Sequence, residues 1–358
     1  MSVVDVHAHV ILGAVEELVS PDPRFAAHRA LELVRNGAES SAVSGRMVGE
    51  RIPLLTRLEP RLAAMDAAGV DVQLVSPSPS QYHYWADPAL ARTLYRTAHQ
   101  GLADLVAQAP DRLRGLGLVP LQHPDLLVEA LDDALARGHA GVEISSHAPG
   151  VELSDERLEP FWAHAAATGA LVFLHPFGCT LDERLDRFYL ANTVGQPVEN
   201  AVALSHLIFS GVLDRHPALR VLAAHGGGYL PTFIGRSDHA WQVRPEARGC
   251  AEPPGTYLAR LWFDSLVHTP DALRALVAAA GADRVLLGSD FPFDMGVTDP
   301  VERLAAADLT PDQQHAIASG NAADLGLRPA LLEEVLLLPG RPPSRHPSSP
   351  PHREHSHG

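Results

Sequence analysis

The sequence contains no lysine: all 28 of its Lys and Arg residues are arginine. Without a lysine amine, the chain cannot form a Schiff base with a carbonyl substrate, and no carbamylated lysine can bridge two metal ions. Cysteine is almost as scarce. With only Cys179 and Cys250 present, the sequence predicts no disulfide framework.

Long apolar runs are also missing, and the N-terminus has neither the basic nor the apolar region of a signal peptide. The formal net charge of -15 disfavours nucleic acid and anionic membrane surfaces as partners. Hydrophobic residues make up 46% of the 358 positions, enough for a sizeable core. We therefore expect a soluble, cytoplasmic globular protein without membrane or nucleic-acid partners.

Short apolar segments alternate with helical patterns along most of the chain. This alternation favours parallel βαβ units, and about eight of them predict an α/β fold of the (β/α)₈ TIM-barrel type. A doubly wound open sheet is the structural alternative. The predicted strands are 3–6, 72–75, 116–119, 141–145, 170–175, 219–224, 261–264 and 285–287.

Two segments depart from this alternation. Residues 11–57, between the first strand and its helix, are too long for an ordinary connection, so we expect a small insertion that is a candidate lid. From Pro339 to Gly358 the chain is rich in Pro, Ser, His and Arg, which predicts a disordered tail. The predicted organisation is one barrel unit over residues 1–338, containing the insertion, and a tail over residues 339–358.

Candidate metal ligands stand at the ends of predicted strands. His7 and His9 are one residue apart on the first strand, so strand alternation points both to one side. His175 closes the fifth strand and Asp290 follows the eighth. Because strand C-termini converge on one face of a barrel, three imidazoles and one carboxylate could surround one divalent ion there.

Two further residues are candidates for the chemistry itself. His225 follows the strand 219–224 and precedes three glycines, which leave its imidazole open to a ligand. A histidine there can pass protons to or from a substrate or a water molecule. Arg236 lies 11 residues later on a predicted helix and offers a bidentate fork for a carboxylate.

Several of these segments resemble the amidohydrolase superfamily, in particular its branch of 2-amino-3-carboxymuconate-6-semialdehyde decarboxylases and γ-resorcylate decarboxylases. The resemblance extends from about residue 3 to residue 327. It is carried by Asp5-Val6-His7-Ala8-His9, His175-Pro176, His225-Gly226-Gly227-Gly228 and Gly288-Ser289-Asp290-Phe291-Pro292. Phe188 to Thr193 differ from the tryptophan-rich segment that lines the pocket of the semialdehyde decarboxylase.

The resemblance implies a distorted barrel with one divalent metal, zinc as first choice and manganese as second. It implies that His7, His9, His175 and Asp290 are the ligands, and that His225, assisted by Asp290, activates water or protonates a substrate carbon. Arg236 would match an arginine that holds a substrate carboxylate across a homodimer. A second substrate arginine belongs in the insertion, where Arg46 and Arg51 are both candidates.

These features favour a metal-dependent, non-oxidative decarboxylase of an aromatic or muconate-semialdehyde-type acid. One alternative is a metal-dependent hydrolase or hydratase that acts on a lactone, amide or enol acid at the same site. Another is a catalytically silent barrel that serves as a binding or assembly subunit. Release of CO₂ distinguishes the decarboxylase from the hydrolase or hydratase. Metal content distinguishes both enzymes from the catalytically silent barrel.

Overall fold

Eight parallel strands form one sheet in the computed structural model, in which residues 2–178 and 181–327 are described. Their order around the sheet is their order along the chain. The strands are β1 (Val4–Val10), β2 (Val72–Pro77), β3 (Leu113–Leu118), β4 (Gly141–Ile144), β5 (Leu171–Leu174), β6 (Arg220–Ala223), β7 (Trp262–Asp264) and β8 (Val285–Leu286).

The first and last strands meet, so the sheet closes into a barrel. The backbone N–H of Val6 donates to the carbonyl of Leu287 at 2.9 Å, and that of His9 donates to Phe291 at 2.7 Å. This closure confirms the predicted (β/α)₈ barrel, and the open doubly wound sheet is wrong. Because the barrel is closed, the first strand β1 lies beside the last strand β8, and residues from both strands can contribute to one site.

Helices follow the strands and form the outer layer. They are α1 (Gly13–Val19), α2 (Pro23–Asn36), α3 (Ala38–Thr56), α4 (Leu58–Ala67), α5 (Pro88–Gln108), α6 (Leu127–Ala136), α7 (Glu159–Thr168), α8 (Gln196–Phe209), α9 (Val212–Arg215), α10 (Leu230–Val243), α11 (Pro270–Ala280), α12 (Pro300–Ala305), α13 (Pro311–His315) and α14 (Asn321–Asp324). A short hairpin pairs His147–Ala148 with Val151–Glu152. π-Helical turns span Ala191–Gly195 and Ala316–Gly320.

The sequence pattern predicts one helix over residues 198–214, but the structure divides it into α8 and α9. Gly211 separates them with φ of 72°, in the left-handed region that ends helices. The long segment between β1 and α4 holds α1, α2 and α3. The predicted tail, residues 339–358, and residues 328–338 before it lie outside the described residues.

The core has two parts because strand residues alternate between the two faces of the sheet. Val4, Val72, Leu116, Phe173 and Leu222 belong to a buried cluster in the barrel interior. A larger buried cluster joins the outer faces of the strands to the helices. Within the described residues, no helix combines the length and apolar character needed to cross a membrane.

Candidate metal centre and active site

Four predicted ligands come together at the C-terminal mouth of the barrel. His7 and His9 lie on β1, His175 directly follows β5, and Asp290 lies beyond β8. One potential ligand atom from each lies within 4.8 Å of the others, and all four residues are buried. His7 Nε2 is 3.1 Å from His9 Nε2, and Asp290 Oδ1 is 3.5 Å and 3.4 Å from these two nitrogens.

The second ring nitrogen of each imidazole is held by the protein. His7 Nδ1 lies 2.6 Å from Asp264 Oδ2, and His175 Nδ1 lies 2.9 Å from the carbonyl oxygen of Pro176. Because a carboxylate and a carbonyl only accept, both Nδ1 atoms carry a proton, and in the neutral imidazole the lone pair is then on Nε2. His9 Nδ1 forms a hydrogen bond with the Ser76 hydroxyl at 3.2 Å. The rings are thus oriented with Nε2 toward the shared centre.

This donor set fits a divalent cation. The His175 Nε2 and Asp290 Oδ1 atoms are buried and have no hydrogen-bond partner among the described residues, which is costly for buried polar atoms. Burial would raise the pKa of Asp290, but the neighbouring imidazoles hold it well below its usual value, so the carboxylate is anionic. Three imidazoles and one carboxylate are ligands that suit zinc or manganese.

His225 lies next to this cluster. Its Nε2 is 3.8 Å from Asp290 Oδ2, and its backbone N–H donates to Asp264 Oδ2 at 2.9 Å. Burial would lower the pKa of the imidazole, but the interactions with Asp290 outweigh burial and raise it. Gly228 lets the following chain turn: its φ is 64°, and a Cβ there would lie 2.2 Å from the carbonyl oxygen of Pro197.

A cavity of about 610 Å³ opens beside His225 and Asp290. Its apolar walls come mainly from the loops after β7 and from α11, and include Leu266, Val267 and Leu276. Asn192 and Thr193, from the segment that departs from the semialdehyde decarboxylase, also line it. The cavity is large enough for a single-ring substrate.

The three predicted substrate arginines are not at this cavity. Arg236 lies on an exposed part of α10, Arg46 is exposed on α3, and Arg51 is half-buried on α3. None of them lines the cavity within one chain, as far as the described residues show. A role in substrate binding therefore requires a second copy of the chain or a movement of the insertion helices.

Sequence reasoning gave no role to two buried acidic residues near the candidate ligands, Asp264 and Glu143. Asp264 accepts hydrogen bonds from His7 and from the backbone of His225 and Gly226. Glu143 on β4 is fully buried, accepts a hydrogen bond from the Tyr82 hydroxyl at 2.8 Å, and has a pKa raised to about 7 by burial. Both acidic residues stand at or near the ends of predicted strands, the signal that identified His175.

Comparison with known proteins gives this site a family. A family model described as amidohydrolase matches residues 4–325. The chain belongs to the amidohydrolase family. It is 34% identical to the 2-amino-3-carboxymuconate-6-semialdehyde decarboxylase of Dictyostelium discoideum over 274 residues, which is 75% of this chain and 76% of that relative.

A second relative of this amidohydrolase also comes from the branch expected from its motifs, and a solved structure matches its fold. The chain is 27% identical to a γ-resorcylate decarboxylase of Rhodococcus jostii over 290 residues, 76% of this chain and 88% of the relative. Its fold matches a 5-carboxyvanillate decarboxylase of Novosphingobium aromaticivorans with a TM-score of 0.78 at 23% identity, over 90% of this chain and 95% of the other. That structure contains manganese and 4-hydroxy-3-methoxy-5-nitrobenzoic acid. The predicted family and barrel are confirmed.

Proposed function

We propose that this protein is a metal-dependent, non-oxidative decarboxylase of a hydroxylated aromatic or muconate-semialdehyde-type carboxylic acid. The observation that carries the proposal is the convergence of four ligand atoms within 4.8 Å, with His225 beside them at the mouth of a cavity of about 610 Å³. The similar proteins named above are decarboxylases of acids of these two classes.

In this proposal His7, His9, His175 and Asp290 hold one divalent ion, zinc as first choice and manganese as second. A bound ion of this kind acts as a Lewis acid that polarises a substrate oxygen and stabilises developing negative charge. A single ion is the simpler assignment, because the chain has no lysine that could be carbamylated to bridge two. The manganese in a structural neighbour supports the assignment of a metal without deciding between the two ions.

His225 supplies the proton. When the bond between the substrate carbon and its carboxylate breaks, the electron pair stays on the carbon and CO₂ leaves. The His225 imidazole, 3.8 Å from Asp290 Oδ2, then delivers the proton that forms the new C–H bond. Asp290 assists by holding the imidazole in place. The reaction balances without an oxidant or a reductant.

An arginine from outside the cavity anchors a substrate carboxylate. We propose that Arg236 of each subunit in a homodimer contacts the substrate bound in the other subunit. Arg46 and Arg51 are candidates for a second contact with the substrate. Phe233, on the same helix α10, is 66% exposed, and Val243 is 55% exposed. Packing of a second copy of the chain against α10 would remove this apolar surface from water.

The decisive experiment is to supply purified protein with zinc or manganese and screen carboxylated phenols and muconate semialdehydes for CO₂ release. Reaction in D₂O should place one deuterium at the vacated carbon. His225→Asn should bind the metal normally but lose most turnover, by about 10²–10⁴-fold for a general acid. Full turnover in a metal-loaded His225→Asn protein would refute the assigned role.

The contribution of Arg236 in trans can be tested by mixing two impaired variants. If Arg236→Ala and His225→Asn each abolish activity, a mixed dimer should contain one site with both residues intact and should recover part of the activity. No recovery in a verified mixed dimer would refute the placement. The same preparations would establish the dimer by light scattering, and cell fractionation would test the expected cytoplasmic location.

The alternative, a hydrolase or hydratase, is favoured by membership of the amidohydrolase family itself. The same four ligands and His225 could activate water for attack on a lactone, amide or enol acid. Reaction in H₂¹⁸O distinguishes the two functions, because only the alternative incorporates the heavy oxygen into its product. Turnover with ¹⁸O incorporation and without CO₂ would replace the decarboxylase proposal.

A further inference from the structure

A second cavity, of about 380 Å³, lies between the insertion helix α2 and the loops that follow β2 and β5. Its walls include the rings of His83, Tyr84, Trp85 and Phe177. It shares no lining residue with the cavity beside His225. Its size suits a single substituted ring.

His83 is a polar group without a partner in this cavity. The residue is 2% exposed, yet neither ring nitrogen bonds to any described residue. Burial lowers its pKa to about 4, so at neutral pH the ring offers one N–H donor and one lone pair. Its φ of 47° is rare for a residue other than glycine. The protein thus holds a strained, unsatisfied imidazole against the cavity.

Two neighbouring donors are also unused. The Trp85 Nε1 atom is buried and has no partner among the described residues. The Tyr84 oxygen accepts a hydrogen bond from the Ser145 backbone at 3.2 Å, but the structure assigns the Tyr84 hydroxyl proton to no described acceptor. Three donors and one acceptor therefore border the cavity, and burial of such groups without partners is unfavourable.

The charged groups around the cavity are already paired. Arg24 contacts Asp22 at 2.6 Å and Asp87 at 2.9 Å, and Arg35 contacts Glu32 at 3.1 Å. His147 Nδ1 likewise lies 3.1 Å from Glu199 Oε2. Because each of these basic side chains has a carboxylate beside it, the cavity has little net positive charge to attract an anion. Its chemistry favours a neutral ligand.

We propose that this cavity is a second ligand site that binds a small neutral phenol. The aromatic walls contact the ring, and a phenolic hydroxyl can donate to the His83 lone pair while it accepts from Trp85 Nε1. The inference rests on the lining groups and does not depend on the proposed function. If that function holds, phenols are the product class of hydroxybenzoate decarboxylation, and the cavity is a product-binding site apart from the metal centre.

The location can be tested by soaking crystals with 4-iodophenol and measuring the anomalous signal of iodine. We expect a peak in the cavity bordered by His83 and Trp85, with the hydroxyl within hydrogen-bonding distance of the imidazole. Crystals of His83→Phe, which keeps an aromatic ring but removes both nitrogens, should lose that peak. A peak only beside His225, or ordered water alone in the second cavity, would overturn the proposal.

Binding in solution provides an independent test with resorcinol as the probe. Quenching of tryptophan fluorescence should disappear in Trp85→Phe and persist in the control Trp241→Phe. The affinity for resorcinol, measured from this quenching, should fall about fivefold or more in Tyr84→Phe or in His83→Phe, because each substitution removes one hydrogen-bonding group from the cavity. Benzoate and cyclohexanol should bind far more weakly than resorcinol. Equal binding of benzoate, or unchanged affinity in both variants, would contradict the assignment.

Discussion

The Asp264→Asn variant tests whether metal binding depends on the orientation of the imidazoles. It leaves all four candidate ligands unchanged and alters a carboxylate that orients one of them. One carboxylate oxygen of Asp264 accepts from His7 Nδ1 at 2.6 Å and from the backbone of His225 at 2.9 Å. The other accepts from the backbone of Gly226 at 2.8 Å and of Leu266 at 3.1 Å. Asparagine has only one oxygen, so its NH₂ group must face two of these four donors.

The expected cost follows from those contacts. Hydrogen bonds to a charged acceptor contribute about 1.5–3 kcal/mol each, so two lost bonds should destabilise the protein by about 3–6 kcal/mol. If the NH₂ group faces His7, the imidazole must move its proton to Nε2, where it points into the metal centre. Loss of such a supporting partner typically lowers metal affinity about 10–100-fold. We therefore expect both stability and metal affinity to fall.

Asp214→Asn is the matched control, because Asp214 also accepts from a backbone N–H and from the Tyr257 hydroxyl, but none of its contacts among the described residues is with a candidate ligand. Chemical denaturation should show a loss of stability in both variants. Titration of metal against a competing chelator should show weaker binding only in Asp264→Asn. Metal affinity equal to that of the wild type in a folded Asp264→Asn protein would refute the reasoning.

Three further predictions concern groups around the site and in the outer layer. Ser76→Ala removes the hydroxyl at 3.2 Å from His9 Nδ1, and chelator competition should show metal affinity reduced by about tenfold, whereas an unchanged affinity would mean that Ser76 does not orient His9. Burial lowers the pKa of His139 from 6.5 to about 4. Between these two pH values the unfolded chain binds a proton at this residue and the folded chain does not, so stability falls as the pH falls through this range. Urea denaturation should thus show about 2 kcal/mol less stability at pH 5 than at pH 8 from this residue, and His139→Gln should show a correspondingly smaller pH dependence. Gly228→Ala places a Cβ against the carbonyl of Pro197 at a φ of 64°, so its melting temperature should fall and its turnover should drop, and a wild-type value of both would contradict the strain argument.

The strands and the candidate ligands could be predicted because their signals are local. Four-residue apolar runs such as Leu171 to Leu174 identify buried strands, and a polar residue at or shortly after the end of an apolar run stands at the mouth of a barrel. His175 and Asp290 were found in this way. The structure brings them within reach of His7 and His9, which precede them by more than 160 residues.

The supporting contacts could not be predicted from local patterns. Asp264 contacts His7 across 257 positions of sequence, and Tyr82 contacts Glu143 across 61. Such pairs depend on which strands become neighbours and on how the sheet closes. The division of the predicted helix 198–214 at Gly211 was missed for a related reason, because a left-handed glycine inside an apolar periodic segment leaves the periodicity almost unchanged.

The sequence alone determined the class of fold, the strand-end positions of the four candidate ligands and of His225, and the exclusion of lysine chemistry. These follow from residue type and short-range periodicity, which need no knowledge of distant contacts. Only the tertiary structure decided that the sheet closes, that Asp264 and Ser76 orient the imidazoles, and that Arg46, Arg51 and Arg236 lie away from the cavity of their own chain. Those properties arise because closure of the barrel brings together residues that are far apart in the sequence.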